Sequence, residues 1–389
     1  MARFGPCLER PPLILRPAAV ALPHGLQAGL EVEVADGVIA AIRPFTGSAE
    51  PYILSGSFVN AHSHLEYYGF KDKISSSEYW PWIRELTALK LTQEPAQITS
   101  DCLEAARANW QTGVRFIAEH SDRHGAAEAM AHVGLDGVIF QEVITILESQ
   151  APVEKLARIR AKLAETRRIF PNAVLAPHAT YTVDPETLRS LATESPLSIH
   201  VAETTYEREF FADASGPIQE FYDRFSLPHP GRHRSAVAFL ASLGMLKPGT
   251  QIVHACDVDA EDMALLASAG CSVAHCPRSN IRLGCPDAPV REMLDAGIAV
   301  GLGLDSAASS GEIDMFDEMR AALTVSRKRG KPISAEEVWR MATGISSGLA
   351  SYEIKEAART PLLKIDLPSK LTFEALIEES TPQSVHPLT

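Results

Sequence analysis

Short apolar runs alternate with longer helical patterns between about residue 50 and residue 350. We predict strands at residues 53–60, 114–119, 137–142, 173–177, 197–201, 250–254, 271–275 and 298–303. The intervening helices include residues 100–112, 153–169, 185–193, 232–243, 260–268, 288–296 and 312–328. Eight strands separated by helices over about 250 residues match the count and length of a (β/α)8 barrel. We therefore predict an α/β protein built on a (β/α)8 TIM barrel.

A doubly wound parallel sheet is the competing fold. That fold places a glycine-rich turn after its first strand when it binds a nucleotide. Residues 56–60 lack the G-x-G-x-x-G spacing of such a turn. The sequence therefore favours the barrel.

Residues 10–50 contain short strand patterns around 13–15, 30–34 and 38–42. These strands are too short to form a core alone, so we expect them to pair with C-terminal strands in a small flanking β-domain. The predicted division is residues 1–52 for the N-terminal part of this β-domain, 53–350 for the barrel, and 351–389 for the C-terminal part and tail.

The composition excludes several classes of function. The 389 residues are 46% hydrophobic, which allows a large core. The 36 basic and 49 acidic residues leave a net charge of −13, and no basic run could follow phosphates, so nucleic acid is not an expected partner. No apolar stretch approaches the length of a membrane span, and the N-terminus lacks a signal peptide's apolar centre. We predict a cytoplasmic protein without membrane contact.

His62 and His64 lie two residues apart at the end of the first apolar run. Side chains two apart on a strand point to the same face, so both imidazoles can reach one metal ion. Histidine pairs also occur as ordinary polar contacts, and the motif alone leaves both readings open. Ligand-type or acid/base residues also follow later apolar runs, in segments 200–203, 252–254 and 301–306.

The positions of these residues relative to the predicted strands strengthen the metal interpretation. Barrel enzymes place their chemistry at the C-terminal ends of the strands. Seven candidate residues fall at or just beyond such an end, namely His62, His64, His178, His200, His254, His275 and Asp305. The sequence therefore predicts one shared site.

Five ordered motifs resemble the amidohydrolase superfamily, within its deaminase and chlorohydrolase branch. They are residues 58–64, 200–204, His254, 275–284 and 301–309. The resemblance covers about residues 52–345. The metal ligands that it implies are His62, His64, His200 and Asp305. Three neutral nitrogens and one carboxylate suit Zn²⁺, with Fe²⁺ as the alternative.

The resemblance also implies one divalent ion rather than two. Binuclear relatives bridge two ions with a modified lysine at the end of the fourth strand. Here that strand ends at His178, without a lysine.

Three catalytic residues follow from the same resemblance: Glu203, His254 and Asp305. A divalent ion lowers the pKa of bound water from about 15.7 towards 7, and Asp305 accepts the proton. Glu203 protonates a ring nitrogen and then helps to deliver a proton to departing ammonia. His254 orients the attacking water and stabilises the tetrahedral intermediate.

Substrate contacts are predicted for Glu66, Trp82 and His178. Each has a structural alternative, because Trp82 could equally anchor a packed loop and His178 could be a core histidine bound to backbone. Glu119 and Glu142 each end a predicted strand, where they either reach the pocket or form ion pairs.

Other polar residues are assigned supporting or peripheral roles. His275, Ser279 and Asn280 brace the loop after the seventh strand, where Asn280 binds backbone groups. We interpret five histidines without a motif as surface or loop residues: His120, His124, His132, His229 and His233.

The predicted function is hydrolytic deamination of an amino-substituted nitrogen heterocycle. A 6-aminopurine nucleoside, of the adenosine type or the aminodeoxyfutalosine type, is the favoured small-molecule substrate. The alternatives are a triazine or guanine-type aminohydrolase or chlorohydrolase, and a catalytically silent barrel that only binds ligand. The sequence leaves a homodimer open as the assembly.

Overall fold

The N-terminal part of the chain forms six strands. In the computed structural model, which describes residues 11–388, they are β1 (Leu13–Leu15), β2 (Pro17–Leu22), β3 (Gly25–Gln27), β4 (Leu30–Ala35), β5 (Val38–Pro44) and β6 (Glu50–Gly56). β1, β4 and β5 form an antiparallel sheet. Asp36 and Gly37 form the turn between β4 and β5 with φ of 50° and 74°, the backbone of a tight hairpin turn.

The expected pairing with C-terminal strands is wrong for the three predicted segments, because β1, β4 and β5 pair with one another. A sheet from both terminal parts of the chain does form, since β2, β3 and β6 lie in one sheet with two C-terminal strands. The alternation in β4 explains the sheet, since Leu30 and Val32 are buried while the glutamates between and after them are only partly covered. The predicted domain boundaries stay a prediction, and residues 1–10 and 389 lie outside the described part of the chain.

Eight parallel strands follow: β7 (Phe58–Ser63), β8 (Val114–Ser121), β9 (Asp136–Val143), β10 (Ala173–Pro177), β11 (Leu197–Val201), β12 (Thr250–His254), β13 (Ser272–His275) and β14 (Ala299–Leu302). They form two four-stranded sheets, β7 to β10 and β11 to β14, each in chain order. Every residue of β7, β11 and β12 is buried, which explains why these segments read as continuous rather than alternating apolar runs. Seven predicted central strands therefore match the structure closely.

The first predicted strand, 53–60, is wrong in one respect because it is divided into β6 and β7. The N–H of Ser57 bonds to the carbonyl of Pro361 at 2.8 Å, and Phe58 begins the pairing with β8. At Gly56 a Cβ would lie 1.7 Å from the carbonyl oxygen of Tyr352, so only glycine fits where the chain passes between the sheets.

Fifteen helices within residues 11–388 surround the parallel strands: α1 (Tyr79–Thr92), α2 (Pro95–Gln111), α3 (Ala126–Val133), α4 (Pro152–Ile169), α5 (Pro185–Leu191), α6 (Thr205–Arg208), α7 (Gly216–Arg224), α8 (Ala236–Ser242), α9 (Ala260–Ser268), α10 (Pro277–Arg282), α11 (Val290–Asp295), α12 (Ala307–Ser310), α13 (Met315–Lys328), α14 (Ala335–Ala342) and α15 (Phe373–Glu379). Short 3₁₀ segments lie at Leu65–Phe70 and Pro382–Ser384, and a π turn at Glu209–Asp213. Eight of these helices lie outside the predicted ranges, namely α1, α3, α6, α7, α10, α12, α14 and α15. In the described part of the chain, none of the helices has the length and apolarity that a membrane crossing needs.

The C-terminal strands β15 (Leu362–Asp366) and β16 (Val385–Pro387) complete a five-stranded sheet in the order β16-β15-β6-β2-β3. β15 runs antiparallel to β6, and β2 runs parallel to it. A separate apolar cluster that includes Leu15, Val32, Leu54 and Leu362 lies between the small sheets. The larger core lies between the parallel strands and their helices, and it supports the strand ends that carry the polar site.

Candidate active site and metal centre

The ends of β7 and β14 bring His62, His64 and Asp305 together. The N–H of Asp305 donates to the carbonyl of His62 at 2.9 Å, and the N–H of His64 donates to the carbonyl of Asp305 at 3.2 Å. This pairing places Asp305 Oδ1 3.6 Å from His62 Nε2 and 4.0 Å from His64 Nε2. The three side chains offer ligand atoms that all lie within 4.8 Å of one another.

His200, at the end of β11, completes the predicted ligand set. Its Nε2 lies 3.4 Å from His64 Nε2. His62, His200 and His254 form a second group whose ligand atoms lie within 4.8 Å of one another. The structure therefore brings together all four ligands that the sequence predicts, with His254 beside them.

A chain of hydrogen bonds sets the proton position on His62. Ser198 Oγ donates to Gln251 Oε1 at 2.8 Å, so it accepts from His120 Nε2 at 2.8 Å. His120 Nδ1 is then the acceptor for His62 Nδ1, 3.0 Å away. His62 therefore carries its proton on Nδ1 and directs the Nε2 lone pair at the ligand cluster.

The same reasoning applies to the other two histidines. His64 Nδ1 donates to the carbonyl of His120 at 2.9 Å, and His200 Nδ1 donates to the carbonyl of His178 at 2.7 Å. Both Nε2 atoms therefore present lone pairs, and metal-ligating histidines commonly donate their other ring N–H in this way. Burial lowers the pKa of His62 to about 3 and that of His64 to about 4, so both rings are neutral, the form that binds metal.

These observations test whether the residues fit a metal. Three unprotonated nitrogens and one carboxylate oxygen converge, and His62 Nε2 is buried without a hydrogen-bond partner among the described residues. Lone pairs facing one another at 3.4 Å repel unless a cation lies between them. The donor set is one that Zn²⁺ uses in catalytic sites. The residues therefore fit a divalent ion.

The interpretation of His120 as a surface or loop residue is wrong. His120 is 1% exposed, it lies inside β8, and its ring packs 4.4 Å from that of His62. Its function is to position His62 through the bond between their Nδ1 atoms. His124 and His132 are exposed, as expected, and His229 and His233 are partly exposed.

Glu203 lies beside the histidine cluster without joining it. Its side chain is 8% exposed, and its Oε1 lies 3.5 Å from His254 Nε2. Burial, and next the charge of Asp305, raise the pKa of Glu203 well above its usual range. Burial thus favours the protonated form of this carboxyl group, which lines the adjoining cavity and can donate a proton to a group there.

Asn280 acts on His254 rather than on backbone groups, which corrects its predicted contact. Its Nδ2 donates to His254 Nδ1 at 3.0 Å, so the proton of His254 is on Nε2, directed towards Glu203. A ring with a protonated Nε2 can donate a hydrogen bond but cannot bind metal through that atom. The protonation of His254 thus differs from that of the three predicted ligands His62, His64 and His200, whose Nε2 atoms carry lone pairs.

Four residues around the site have a strained backbone conformation. His254, Ala202, Ala255 and Asp305 have φ of 73°, 53°, 51° and 52°, values in the left-handed region that residues with a Cβ rarely adopt. All four lie at or just beyond the C-terminal ends of parallel strands. Such strain persists where surrounding structure fixes it, and it concentrates at functional sites.

A cavity of about 210 Å³ opens over the cluster. His64, His200, Glu203, His254 and Asp305 form its floor. The predicted substrate contacts Trp82 and His178 both line it, as do Tyr67, Tyr79, Lys90, Leu283 and several apolar residues of α1. Trp82 also donates from Nε1 to the carbonyl of Ala308 at 3.3 Å, which fixes its ring.

Glu66 does not line this cavity. Its Oε2 accepts from Ser121 Oγ at 2.7 Å and from the N–H of Arg123 at 3.2 Å. Burial, and next Asp122, raise the pKa of Glu66. The structure thus places Glu66 in a buried polar network behind the cavity wall, and a direct substrate contact is not among the interactions that it makes.

Lys90 and Tyr79 are two of the cavity-lining residues that were not predicted as contacts. Lys90 Nζ lies 2.6 Å from Tyr67 Oη and 3.1 Å from both Asp122 oxygens, and the four-residue spacing of Trp82, Leu86 and Lys90 on α1 could have indicated it. Tyr79, the first residue of α1, bonds to Tyr181 through their hydroxyl groups at 2.9 Å. Tyr79 and Lys90 both lie on α1, which was not predicted.

Glu142, at the end of β9, offers an oxygen within 4.8 Å of the ligand atoms of His64 and His200. Neither of its carboxyl oxygens has a hydrogen-bond partner in the described part of the chain. Burial, and next the charge of Asp122, raise its pKa well above the usual range. The sequence left two alternatives for Glu142, a contact with the pocket or an ion pair. Among the described residues Glu142 forms no ion pair.

Comparison with known proteins identifies the family. The amidohydrolase family profile matches residues 53–345, and the chain belongs to the amidohydrolase family. The resemblance stated from the motifs is therefore confirmed. A 5-methylthioadenosine/S-adenosylhomocysteine deaminase 2 of Archaeoglobus fulgidus is 33% identical, over 78% of this chain and 70% of its own length.

Two further comparisons give another relative and a solved structure of similar fold. An aminodeoxyfutalosine deaminase of Deinococcus radiodurans is 30% identical, over 68% of this chain and 66% of its own length. The crystal structure of Helicobacter pylori aminofutalosine deaminase with methylthio-coformycin has a TM-score of 0.79 at 21% identity, covering 96% of this chain and 97% of its own. At that identity the structural likeness concerns the fold alone.

Proposed function

We propose that the protein is a metal-dependent hydrolytic deaminase of a 6-aminopurine nucleoside. The names of the Archaeoglobus and Deinococcus relatives support deamination of adenosine-type nucleosides. The observation that carries the proposal is the buried carboxyl group of Glu203, which lines the cavity beside the histidine cluster with its Oε1 3.5 Å from His254 Nε2. A ring nitrogen must gain a proton before ammonia can leave, and Glu203 is the acid in position to supply it.

The metal in this proposal is one divalent ion, Zn²⁺, held by His62, His64, His200 and Asp305. When bound, such an ion supplies a nucleophilic water near neutral pH. Ser309 Oγ donates to Asp305 Oδ2 at 3.1 Å, which fixes the carboxylate with Oδ1 towards the histidines. Asp305 accepts the proton of the attacking water in this arrangement.

The other side chains act on the substrate. Glu203 donates its proton to the ring nitrogen next to the amino-bearing carbon. As a carboxylate it then takes the proton of the added hydroxyl group and passes it to the amino group, which leaves as ammonia while the 6-oxo group forms. His254 directs its Nε2–H at the developing negative charge, since Asn280 occupies Nδ1. Trp82 and His178 contact the nucleoside from the cavity wall.

Two of the alternatives, a chlorohydrolase and a silent barrel, fit less well, whereas a guanine-type or triazine aminohydrolase would use the same acid and is separated by the choice of substrate. Departure of halide from a chlorinated triazine needs no ring protonation, which leaves Glu203 without a role. A silent barrel would not need the fixed tautomers of His62, His64 and His200, which all leave Nε2 free. Both alternatives are outcomes of the substrate test below.

We also propose that the two parallel sheets close into one eight-stranded barrel. The bridges Ser63–Asp305 and Ala179–His200 support this closure, because they join β7 with the end of β14 and the end of β10 with β11. The order of the strands around such a barrel is that of a TIM barrel. Cytoplasmic location and a homodimer stay predictions.

The test is ammonia release from a panel of heterocycles by the zinc-loaded protein. The panel contains adenosine, 5′-substituted adenosines, aminodeoxyfutalosine, guanine and melamine. We expect ammonia and the 6-oxo product from the adenosine derivatives. Turnover confined to guanine or melamine would overturn the nucleoside assignment, and no turnover on any compound would favour the silent barrel.

A further inference from the structure

Glu207 is a second buried carboxyl group close to Glu203, four residues further along the chain on the short helix α6. It is 2% exposed. Glu203 lines the cavity over the histidine cluster, and Glu207 does not. A buried carboxyl group destabilises a protein unless polar groups bond to it. The contacts of Glu207 therefore indicate why it is buried at this place.

Two donors from different loops bond to Glu207. Its Oε1 accepts from the N–H of Glu203 at 3.0 Å, and its Oε2 accepts from Thr180 Oγ1 at 2.8 Å. Burial raises the pKa of Glu207 to about 7, and hydrogen bonds from Thr180, Glu203 and Ala202 counteract this rise. Thr180 follows β10 and Glu203 follows β11, so Glu207 joins the loops after two consecutive strands.

The peptide group between Ala202 and Glu203 is held at both of its polar atoms. Its N–H is the one that donates to Glu207, and its carbonyl oxygen accepts from the N–H of Asp257 at 2.8 Å. Ala202 has φ of 53°, a left-handed conformation that persists only where the surrounding structure fixes it. Glu207 and Asp257 are two of the residues that fix this turn.

The orientation of this peptide group determines the direction in which the side chain of Glu203 leaves the backbone. That side chain places Oε1 3.5 Å from His254 Nε2, at the wall of the cavity. Proton transfer requires the donor and the acceptor to lie within hydrogen-bond reach. A displacement of about 1 Å at a reacting group can cost about 10²-fold in rate. The turn between β11 and α6 therefore controls the geometry on which proton transfer by Glu203 depends.

We propose that Glu207 is a positioning residue for Glu203. Its carboxyl group holds the peptide between Ala202 and Glu203 in the orientation that directs Glu203 into the cavity, and Thr180 holds that carboxyl group in turn. The inference rests on the proposed deaminase function, because it needs Glu203 as the proton donor. It gives Glu207 no contact with the substrate, the metal or the reacting atoms.

Three substitutions separate the hydrogen bonds of Glu207 from its charge. Glu207→Ala removes both, and we expect kcat to fall by about 10–100-fold while KM and bound zinc stay unchanged. Glu207→Gln keeps an oxygen for the N–H of Glu203 and can donate to Thr180 from its amide, so kcat should stay near native. Glu207→Asp keeps the charge but is one methylene shorter, so kcat should fall. If Glu207→Ala does not fold, a higher kcat in Glu207→Asp than in Glu207→Gln would overturn the inference, and the reverse order supports it.

A combination with Glu203→Gln tests whether Glu207 acts through Glu203. Residues that act as a unit have strongly non-additive effects on turnover. Once Glu203→Gln has removed the proton donor, the position of that side chain no longer affects proton transfer, so adding Glu207→Ala should change kcat little. A general structural role would instead lower kcat by the same factor in both backgrounds, and that result would overturn the positioning role.

Glu337→Ala is the matched control. Glu337 also accepts one backbone N–H, that of Ser334 at 2.8 Å, and one side-chain donor, Arg291 Nη1 at 2.6 Å. It does not line the cavity over the histidine cluster. Glu337→Ala should lower thermal stability and leave kcat unchanged. An equal loss of kcat in Glu337→Ala and Glu207→Ala would attribute the effect to destabilisation and overturn the inference, while deamination by the unchanged protein still supported the proposed function. If the unchanged protein releases no ammonia from any nucleoside, the proposed function fails and this inference fails with it.

Discussion

Replacing Ser198 by alanine tests how the chain fixes the proton position on His62. Ser198 Oγ accepts from His120 Nε2 and donates to Gln251 Oε1, both at 2.8 Å. Without it, each partner loses one buried hydrogen bond, at a cost of about 1–3 kcal/mol per group. His120 can then carry its proton on Nδ1, which faces His62 and drives the His62 proton to Nε2. A proton on Nε2 occupies the lone pair with which His62 would bind the metal.

The expected loss of zinc affinity is about 10–100-fold, the usual effect of removing a partner of a metal-ligating histidine. This corresponds to about 1.4–2.8 kcal/mol of binding free energy. Zinc affinity is measured by competition with a chromophoric chelator, and thermal unfolding is followed in parallel.

Ser326→Ala supplies the control. Ser326 is 3% exposed and also makes two hydrogen bonds, to the carbonyl of Leu323 at 2.9 Å and from the N–H of Ile333 at 3.2 Å. It should lower stability to a similar degree and leave zinc affinity unchanged. If Ser198→Ala binds zinc as tightly as Ser326→Ala, the hydrogen-bond chain does not control His62 and the reasoning is refuted.

Three further predictions concern the chemistry. Glu203→Gln should fold and keep its metal while turnover falls by about 10²-fold or more, because an amide cannot carry the proton; parallel losses of metal and activity would indicate a ligating carboxylate instead. Asp305→Asn should lose most activity even in preparations that retain zinc, and near-native turnover with zinc bound would remove its role as proton acceptor. Adenosine should be deaminated with a higher kcat/KM than its 5′-phosphate, and the reverse order would show a phosphate site that the charge distribution does not indicate.

The parallel strands could be predicted because burial on both faces makes each one a short continuous apolar run. The site residues could be predicted from the strands, because the C-terminal ends of parallel strands meet at one edge of the sheet. The boundary between β6 and β7 could not be predicted, because residues 53–60 stay buried while the chain passes from one sheet to another. Only the contacts of Gly56 and Ser57 show the break.

His120 and α1 are two parts of the site that the sequence patterns did not predict. The predicted second strand ended at residue 119, whereas β8 continues to Ser121, so His120 was assigned to a loop instead of the strand interior. α1 begins with Tyr79, Trp80 and Pro81, and its proline lies in the first turn, where it is tolerated. The aromatic residues of α1 pack around the cavity against residues from distant parts of the chain, and this packing stabilises the helix.

Reconstitution with metal tests the central claim most directly. The protein is stripped by prolonged chelation and titrated with Zn²⁺ while ammonia release from the best nucleoside substrate is followed. We predict no turnover without metal and full turnover at about one ion per chain, because the proposed ligands His62, His64, His200 and Asp305 lie in one cluster. Full activity in the stripped protein, or activity that requires two ions per chain, would contradict the account.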